Sequence, residues 1–415
     1  MKSLKGNAIV GQSGGPTVVI NESLVGVIRE ARRHSEITGI FGALHGIEGI
    51  LKQEIFDLGA ESAENLKLVA RTPSAALGSV RKKPSEEDCE AIFRVLEAHS
   101  IHYFFYIGGN DSAETASILN GLSEKHGYEL RVCHIPKTID NDLLVTDHCP
   151  GFGSAARFVA LALQGDNLDN RALRGVKIDV IMGRSAGFLT AAAGLGRREK
   201  DDGPHHIYVP EVPFQVERFC ADVEACMKKW NRCVVAVSEG IQDENKKPIL
   251  TTSGEKDSHG NTQLSGTGAL GDHLANVVKE KLGVKRVRSD TFGYLQRSFP
   301  TIVSEVDARE AREVGAFGVR ELTTGGARSG SVSIRRRTHT AGEKGERPSN
   351  GWYTAEYFLT DLASVARNTR SLDAKFLAPG GSDTTAAFER YALPLVGELP
   401  VMGRLSGRRI RPRKI

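Results

Sequence analysis

The chain reads as an α/β protein with doubly wound, three-layer αβα organisation, and three observations predict it. Short apolar, β-rich runs alternate with longer helical patterns along the sequence. Several of the helical patterns open after a serine, as an N-cap would. Two apolar runs give way to turns rich in glycine or charge, which is where ligands sit in open α/β sheets.

In order, strands are expected at 8–10, 39–44, 103–107, 131–135, 177–182, 206–210, 233–238 and 331–334. The run Tyr103-Phe104-Phe105-Tyr106-Ile107 is apolar throughout, as a strand covered on both faces should be. Helices are expected at 21–34, 85–99, 112–126, 154–164, 185–195, 216–230, 268–282 and 304–323. The polar, glycine-containing stretch 242–263 and the basic, aperiodic stretch 335–349 read as surface loops.

The chain has 415 residues, 40% hydrophobic and 26% charged, with a net charge of +4. This composition is that of a folded globular chain with about two to three domains. No apolar run approaches the ~18 residues a membrane helix needs. The first six residues run straight into a strand and show no secretory core, so a cytoplasmic protein is expected. Cys89, Cys133, Cys149, Cys220, Cys226 and Cys233 form no CxxC pair and read as reduced thiols. The tail 404–414 is strongly basic but carries no interleaved aromatics, so a solvated or subunit-docking tail is favoured over a nucleic-acid arm.

Two turns carry the chemistry. Gly108-Gly109-Asn110-Asp111-Ser112 follows the strand at 103–107 and can offer backbone N–H groups to a phosphate. Lys137-Thr138-Ile139-Asp140-Asn141-Asp142 follows the strand at 131–135 and supplies a cation and two carboxylates. A phosphate cradle, a positive charge, metal handling and a base are the parts of a phosphoryl-transfer site. Blander readings exist for each: Asp111 as a helix N-cap, Lys137 as a partner for Asp140 or Asp142, and the acidic turn as an Asx turn. Gly151-Phe152-Gly153-Ser154-Ala155-Ala156 satisfies a relaxed dinucleotide fingerprint, but no buried strand precedes it, and it reads as a decoy. The pair His205-His206 reads as an ordinary loop-and-strand pair rather than a metal site.

With these residues in view the chain resembles the phosphofructokinase family. The matching segments are Ser13-Gly14-Gly15-Pro16 with Asn21, then 108–112, 137–142, 182–184, 238–240 and 293–297, in family order across roughly residues 6–335. The resemblance implies two similar lobes with the active site between them. It implies a donor lobe of 1–150 plus about 297–345, and a sugar-phosphate lobe of 151–296 plus about 346–415 with a C-terminal extension. It also implies Mg2+ as cofactor, a homodimer or homotetramer, and no nucleic-acid or membrane partner.

Residue by residue, the resemblance makes Gly15, Arg81, Gly109, Asp111 and Lys137 donor-binding. ATP-using members carry Asp then Gly at the positions of Asn110 and Asp111, and Gly at that of Lys137. Here a carboxylate fills the room an α-phosphate needs. Two like charges about 4 Å apart repel by roughly 4 kcal/mol at an effective dielectric of about 20, or about three decades of affinity. Pyrophosphate, with two phosphoryl groups, would not meet Asp111. Lys137 would stabilise the transferring group and its leaving phosphate. Asp140 would be the base for the 1-hydroxyl of fructose 6-phosphate. Thr138 and Ile139 would line the same site, and Asn110 would hold Mg2+ through water or its carbonyl oxygen. Met182, Gly183, Arg184 and Glu239 would wall the sugar site, while Arg288, Tyr294 and Arg297 would reach its 6-phosphate. In tetrameric relatives a neighbouring subunit adds an arginine; the matching position here is Gly175, with Arg174 and Lys177 as stand-ins. The expected reaction is reversible transfer from Mg-pyrophosphate to fructose 6-phosphate. Two rivals remain: an ATP-dependent 6-phosphofructokinase, and a non-catalytic sugar-phosphate sensor on the same fold.

Overall fold

The computed structural model describes residues 4–250, 268–338, 353–366, 368–407 and 410. The first sheet begins with β1 (Gly6–Gln12), followed by α1 (Ile20–Ala31), β2 (Ile37–Ala43), α2 (Ile47–Lys52), β3 (Ile55–Asp57), α3 (Ala63–Arg71) and α4 (Glu86–Ala98). It continues through β4 (Ile101–Gly108), α5 (Asn110–His126) and β5 (Arg131–Pro136). The long helix α6 (Phe152–Leu173) then carries the chain to the second sheet. That sheet is built from β6 (Gly175–Ile181), α7 (Phe188–Ala192), β7 (His206–Tyr208), α8 (Val216–Trp230), β8 (Arg232–Ser238), α9 (Ala269–Leu282) and β9 (Val287–Thr291). The chain returns along α10 (Glu305–Thr323) to β10 (Ser329–Thr338) and β11 (Tyr353–Thr360), and ends with α11 (Leu362–Val365) and α12 (Ala386–Val396).

The first sheet has seven strands in the order β11-β10-β5-β4-β1-β2-β3, and the second has four in the order β7-β8-β6-β9. The inner strands of the first sheet are parallel, and its edges β3 and β11 pair antiparallel. The second sheet is parallel throughout. The central strands β4 and β8 are buried almost end to end, which is why they could be read from apolar composition alone. The layers are therefore those of a doubly wound α/β fold, with the second sheet the narrower.

Several expectations change. Strand 353–360, expected in the sugar-phosphate lobe, joins the first sheet because the free edge of β10 pairs with it from Ser331↔Thr360 to Thr338↔Tyr353. Residues 335–338, expected in a loop, continue β10; the rest of that loop, 251–263 of the other, and most of the basic tail lie outside the described residues. Ser85 and Ser304 cap α4 and α10 as expected. Ser112, Ser154 and Ser185 do not cap: α5 starts at Asn110, α6 at Phe152 and α7 at Phe188. Asp111 therefore lies inside the first turn of α5, not at its N-cap. The N-terminus of α6 is closed by the buried carboxylate of Asp307, which accepts from Gly151 N (2.8 Å), Ser154 N (2.9 Å) and Ser154 Oγ (2.6 Å). That leaves the 151–156 glycine pattern no phosphate to hold. Among the described residues no helix is long and apolar enough to cross a membrane, and all six cysteines are free and buried.

Candidate active site

Three strands of the first sheet end side by side, and their following turns form one rim of a cavity. β1 leads into 13–16, β4 into 109–112 and β5 into 137–142. A further loop, 77–81, is laid over the first turn by buried hydrogen bonds. Gln12 Nε2 donates to Asn21 Oδ1 at 2.9 Å. The same two side chains accept from the amides of Leu77 and Ala76, each at 2.9 Å. Gly14 N donates to Val80 O at 3.1 Å, and Ser79 Oγ to Gly14 O at 2.6 Å. These contacts leave Arg81 lining the cavity.

Lys137 ties two of the turns together. Its backbone N donates to Gly108 O at 2.9 Å and its Nζ to Gly15 O at 2.7 Å. The ammonium is thus placed beside the first turn rather than paired with Asp140 or Asp142. Thr138 Oγ1 accepts from Asp140 N (3.1 Å) and donates to Asp142 Oδ1 (3.2 Å). Asn110 Nδ2 donates to the other oxygen, Asp142 Oδ2, at 3.2 Å. Asp142 therefore fixes Thr138, which fixes the backbone of Asp140. The carboxamide oxygen of Asn110 is buried and has no hydrogen-bond partner among the described residues. A bare acceptor beside a carboxylate suits a hard divalent cation.

The opposite wall comes from the second sheet. β6 ends in Met182-Gly183-Arg184, and Gly183 has φ +140, where L side chains are rarely found. A Cβ there would also lie 2.6 Å from Ala186 O. The turn is fixed by Ser238 Oγ donating to Gly183 O at 2.6 Å. Glu239 follows β8, its amide donating to Ile181 O at 2.8 Å. Arg297 arrives on a single helical turn, Gly293–Arg297.

These walls enclose a cavity of about 380 Å3. Of the expected residues, Gly15, Arg81, Gly109, Asn110, Asp111, Lys137, Thr138, Ile139, Asp140, Met182, Arg184, Glu239 and Arg297 line it. Gly183 shapes the wall without lining it. Arg288 and Tyr294, expected at the sugar phosphate, are not brought to the cavity. Arg288 is on the solvent side of edge strand β9, whose side chains alternate in and out. Tyr294 is 46% exposed and lies under the Arg297 guanidinium, 4.6 Å from ring centre to carbon. Arg297 itself reaches the Gly15 turn: a Cβ on Gly15 would be 2.5 Å from its Nη1 and 3.7 Å from Arg81 Nη2. Lys177, a candidate to reach a neighbour's sugar phosphate, is engaged with Asp290 and approaches Asp166 at 3.5 Å and Asp179 at 3.8 Å.

The charges inside are tuned by burial and by one another. Burial, then Arg297 and Arg81, push the Lys137 ammonium down to about 7, against the pull of Asp140 and Asp142. Burial and Arg81 likewise lower Arg297. Three cations crowd around Gly15, and Asp140 offsets part of their repulsion at Lys137 and Arg297. Burial, then Glu239, push Asp140 up to about 6, opposed by Lys137, Arg297 and Arg184. Burial and Asp140 push Asp142 up to about 6 as well, so the two carboxyls titrate as a pair. A buried carboxylate poised near neutral pH, beside a cationic pocket, is suited to accept a proton.

Sequence reasoning missed the C-terminal contributions. Thr369 lines the cavity and bridges to Leu143, a contact between distant segments that no local pattern announces. It also missed that His205, Cys226 and Cys233 bring ligand atoms within 4.8 Å of one another. His205 Nδ1 accepts from Val234 N at 2.9 Å, which puts the proton of the neutral ring on Nε2 and spoils that nitrogen as a metal ligand.

Comparison with known proteins agrees with this geometry. A family model described as Phosphofructokinase matches residues 7–320. A curated relative from Rhodospirillum rubrum, named pyrophosphate–fructose 6-phosphate 1-phosphotransferase, is 52% identical over 410 residues, covering 98% of each chain. One of the same name from Xanthomonas campestris is 38% identical, over 95% of this chain and 93% of its own. A solved structure titled pyrophosphate-dependent phosphofructokinase, from Marinobacter aquaeolei, superposes with a TM-score of 0.83 at 32% identity, covering 97% of this chain and 94% of its own.

Proposed function

Since the chain belongs to the phosphofructokinase family, we infer from its site that it transfers a phosphoryl group from pyrophosphate to the 1-hydroxyl of fructose 6-phosphate. The products are fructose 1,6-bisphosphate and phosphate, and the reaction runs in both directions. One observation carries the choice of donor: the buried ammonium of Lys137, fixed on Gly15 O at 2.7 Å between two phosphate-facing turns, with Asp111 on the cavity wall nearby. A short dianionic donor gains from that cation and avoids that carboxylate, whereas a nucleoside triphosphate must pass the carboxylate.

In the forward direction the sugar 1-oxygen attacks the nearer phosphorus. An O–P bond forms, the bond to the leaving phosphate breaks, and Asp140 takes the hydroxyl proton. Thr138 and Asp142 hold Asp140 in place. Lys137, Arg81 and Arg297 meet the charge on the transferring group and the leaving phosphate. Arg184 and Glu239, with the Met182-Gly183 backbone, hold the sugar. The residues present fit Mg2+, which Asn110 Oδ1 and Asp142 would hold; bound there, it neutralises charge on the donor oxygens. We assign the donor to the half built on the seven-stranded sheet and the sugar phosphate to the half built on the four-stranded one. The setting is cytoplasmic, as a homodimer or homotetramer.

The test is a coupled assay with fructose 6-phosphate, Mg2+ and either pyrophosphate or ATP. Turnover with pyrophosphate and little or none with ATP is expected. Robust ATP turnover makes the chain an ordinary ATP-dependent enzyme; no turnover with either leaves a sugar-phosphate sensor.

A further inference from the structure

The turn bearing Asp140 and Asp142 continues to residue 149 without a helix or regular strand of its own. Its exposed-by-sequence backbone groups still need partners once buried. Four of its carbonyls are met by a segment beyond the family match, which stops at residue 320. Arg370 N donates to Asp142 O at 2.8 Å. Arg370 Nε donates to Asn141 O at 2.7 Å and its Nη1 to Thr146 O at 2.9 Å. Tyr391 Oη donates to Asp147 O at 2.8 Å.

Asn141, between the two carboxylates, is fully buried with φ +58, a left-handed conformation open to asparagine that its buried side-chain contacts enforce here. Tyr391 supplies that enforcement. Its hydroxyl accepts from Asn141 Nδ2 at 2.7 Å and from Arg370 Nη2 at 3.3 Å. From the other side Cys149 N donates to Asn141 Oδ1 at 2.9 Å. Arg336 holds the tyrosine in turn, its Nη1 donating to Tyr391 O at 2.7 Å and its Nε lying 2.6 Å from Asp147 Oδ1. The Arg370 guanidinium is stacked 5.0 Å from the Phe188 ring centre.

We propose that the C-terminal extension is a clamp on the catalytic turn, with Arg370 and Tyr391 acting as positioning residues that set the backbone on which Asp140 and Asp142 stand. Neither lines the cavity, so their effect passes through the turn. The proposal rests on the phosphoryl-transfer reading above.

The experiment compares the full chain with Arg370→Ala, Arg370→Lys and Tyr391→Phe by steady-state kinetics with pyrophosphate, thermal melting and amide exchange across 138–149. A displacement of about 1 Å at a catalytic group costs about 10²-fold in rate. Arg370→Ala should therefore lose about 10²-fold in kcat with both KM values within about threefold, and amides of the turn should exchange faster. Arg370→Lys keeps the charge but not the planar fork that reaches two carbonyls, so kcat should recover only in part. Tyr391→Phe should lose about three- to tenfold in kcat at unchanged KM. A kcat for Arg370→Ala within threefold of wild type overturns the proposal, as does a loss in which both KM values rise in step. If Arg370→Ala does not fold, Tyr391→Phe decides, and an unchanged kcat overturns it. If wild type shows no pyrophosphate turnover, the reaction reading fails separately. The clamp is then judged by amide exchange across 138–149: faster exchange in Tyr391→Phe supports it and unchanged exchange overturns it.

Discussion

At the proposed donor end of the cavity, the loops after β1, β4 and β5 and the 77–81 loop are bound to one another directly: Gly14 to Val80, Lys137 to Gly15 and to Gly108, Asn110 to Asp142. At the sugar end, the Met182-Gly183-Arg184 turn and Glu239 are equally well fixed to their own sheet, yet two of the expected phosphate ligands, Arg288 and Tyr294, stay outside the cavity. The proposed donor end is cross-linked between its turns, and the proposed sugar end is fixed turn by turn to its own sheet. Electrostatic preorganisation lowers a barrier because nothing has to move when charge develops. Changes at the donor and base end should therefore appear mainly in kcat, and changes at the sugar end mainly in KM.

The strongest attempt to break that contrast is at the base. Asp140→Asn keeps the shape of the turn and the hydrogen bond from its backbone to Thr138, and removes only the proton acceptor. We expect kcat to fall by about 10²- to 10⁴-fold with sugar-phosphate KM nearly unchanged. A loss below threefold in steady-state kinetics would move the base elsewhere.

The next largest effect concerns the donor. Asp111→Gly removes the carboxylate from the first turn of α5, relieving a repulsion of roughly 4 kcal/mol, about three decades of affinity. ATP turnover, slight in wild type, should rise with it, and pyrophosphate kinetics should change little. ATP turnover that stays flat while binding of ATP is measurable by calorimetry would show that Asp111 is not the barrier.

Arg297 sharpens the border between the two ends. Its guanidinium lies against Gly15 while the chain carrying it belongs to the sugar wall. Losing a charge-assisted hydrogen bond costs about 1.5–3 kcal/mol, so Arg297→Ala should raise KM by roughly 10- to 100-fold. Both substrates should be affected, whereas Glu239→Gln should raise only the KM for fructose 6-phosphate. An Arg297→Ala effect confined to the sugar would return this residue to the sugar site alone.

What could be read in the sequence follows the same division. The donor and base turns sit at the ends of β4 and β5, strands so uniformly apolar that their limits, and the special residues just beyond them, are local features. The Gly15–Lys137 contact joins residues 122 apart in sequence, but each partner is announced by its own turn. Edge strands were harder. β9 reads Val-Arg-Ser-Asp-Thr, with only its first residue buried, and β11 follows a stretch with no periodicity. Arg370 and Tyr391 were invisible for a different reason. They act on backbone carbonyls 229 and 244 residues away, and a side chain that serves a distant backbone leaves no spacing or composition signal. The orientation of Arg297 was also hidden, because sequence names the turn it stands on and not the direction of a long side chain.

The smallest expected effect, and the most specific to a preformed donor end, is a pH dependence. Unliganded, Lys137 is held down to about 7, chiefly by burial and then by Arg297 and Arg81. Bound pyrophosphate places negative oxygens among these cations and must raise it. Below pH 7 the ammonium already exists, and binding takes up no proton at this residue. Above about 7, binding must first recharge the amine, so affinity should fall, by up to about tenfold per pH unit, until the pH reaches the value in the complex. The KM for pyrophosphate should therefore rise on the alkaline side, while kcat/KM falls on the acid side as Asp140 and Asp142 take protons near 6. Pyrophosphate titrates too, so the measurement is the ratio of wild type to Lys137→Met across pH, in which the ligand's own titration cancels. Lys137→Met should bind pyrophosphate more weakly below pH 7 and approach wild type above it. A ratio that is flat from pH 6 to 9 would mean that the ammonium stays charged throughout, and that the crowding of three cations around Gly15 is relieved by something other than the donor.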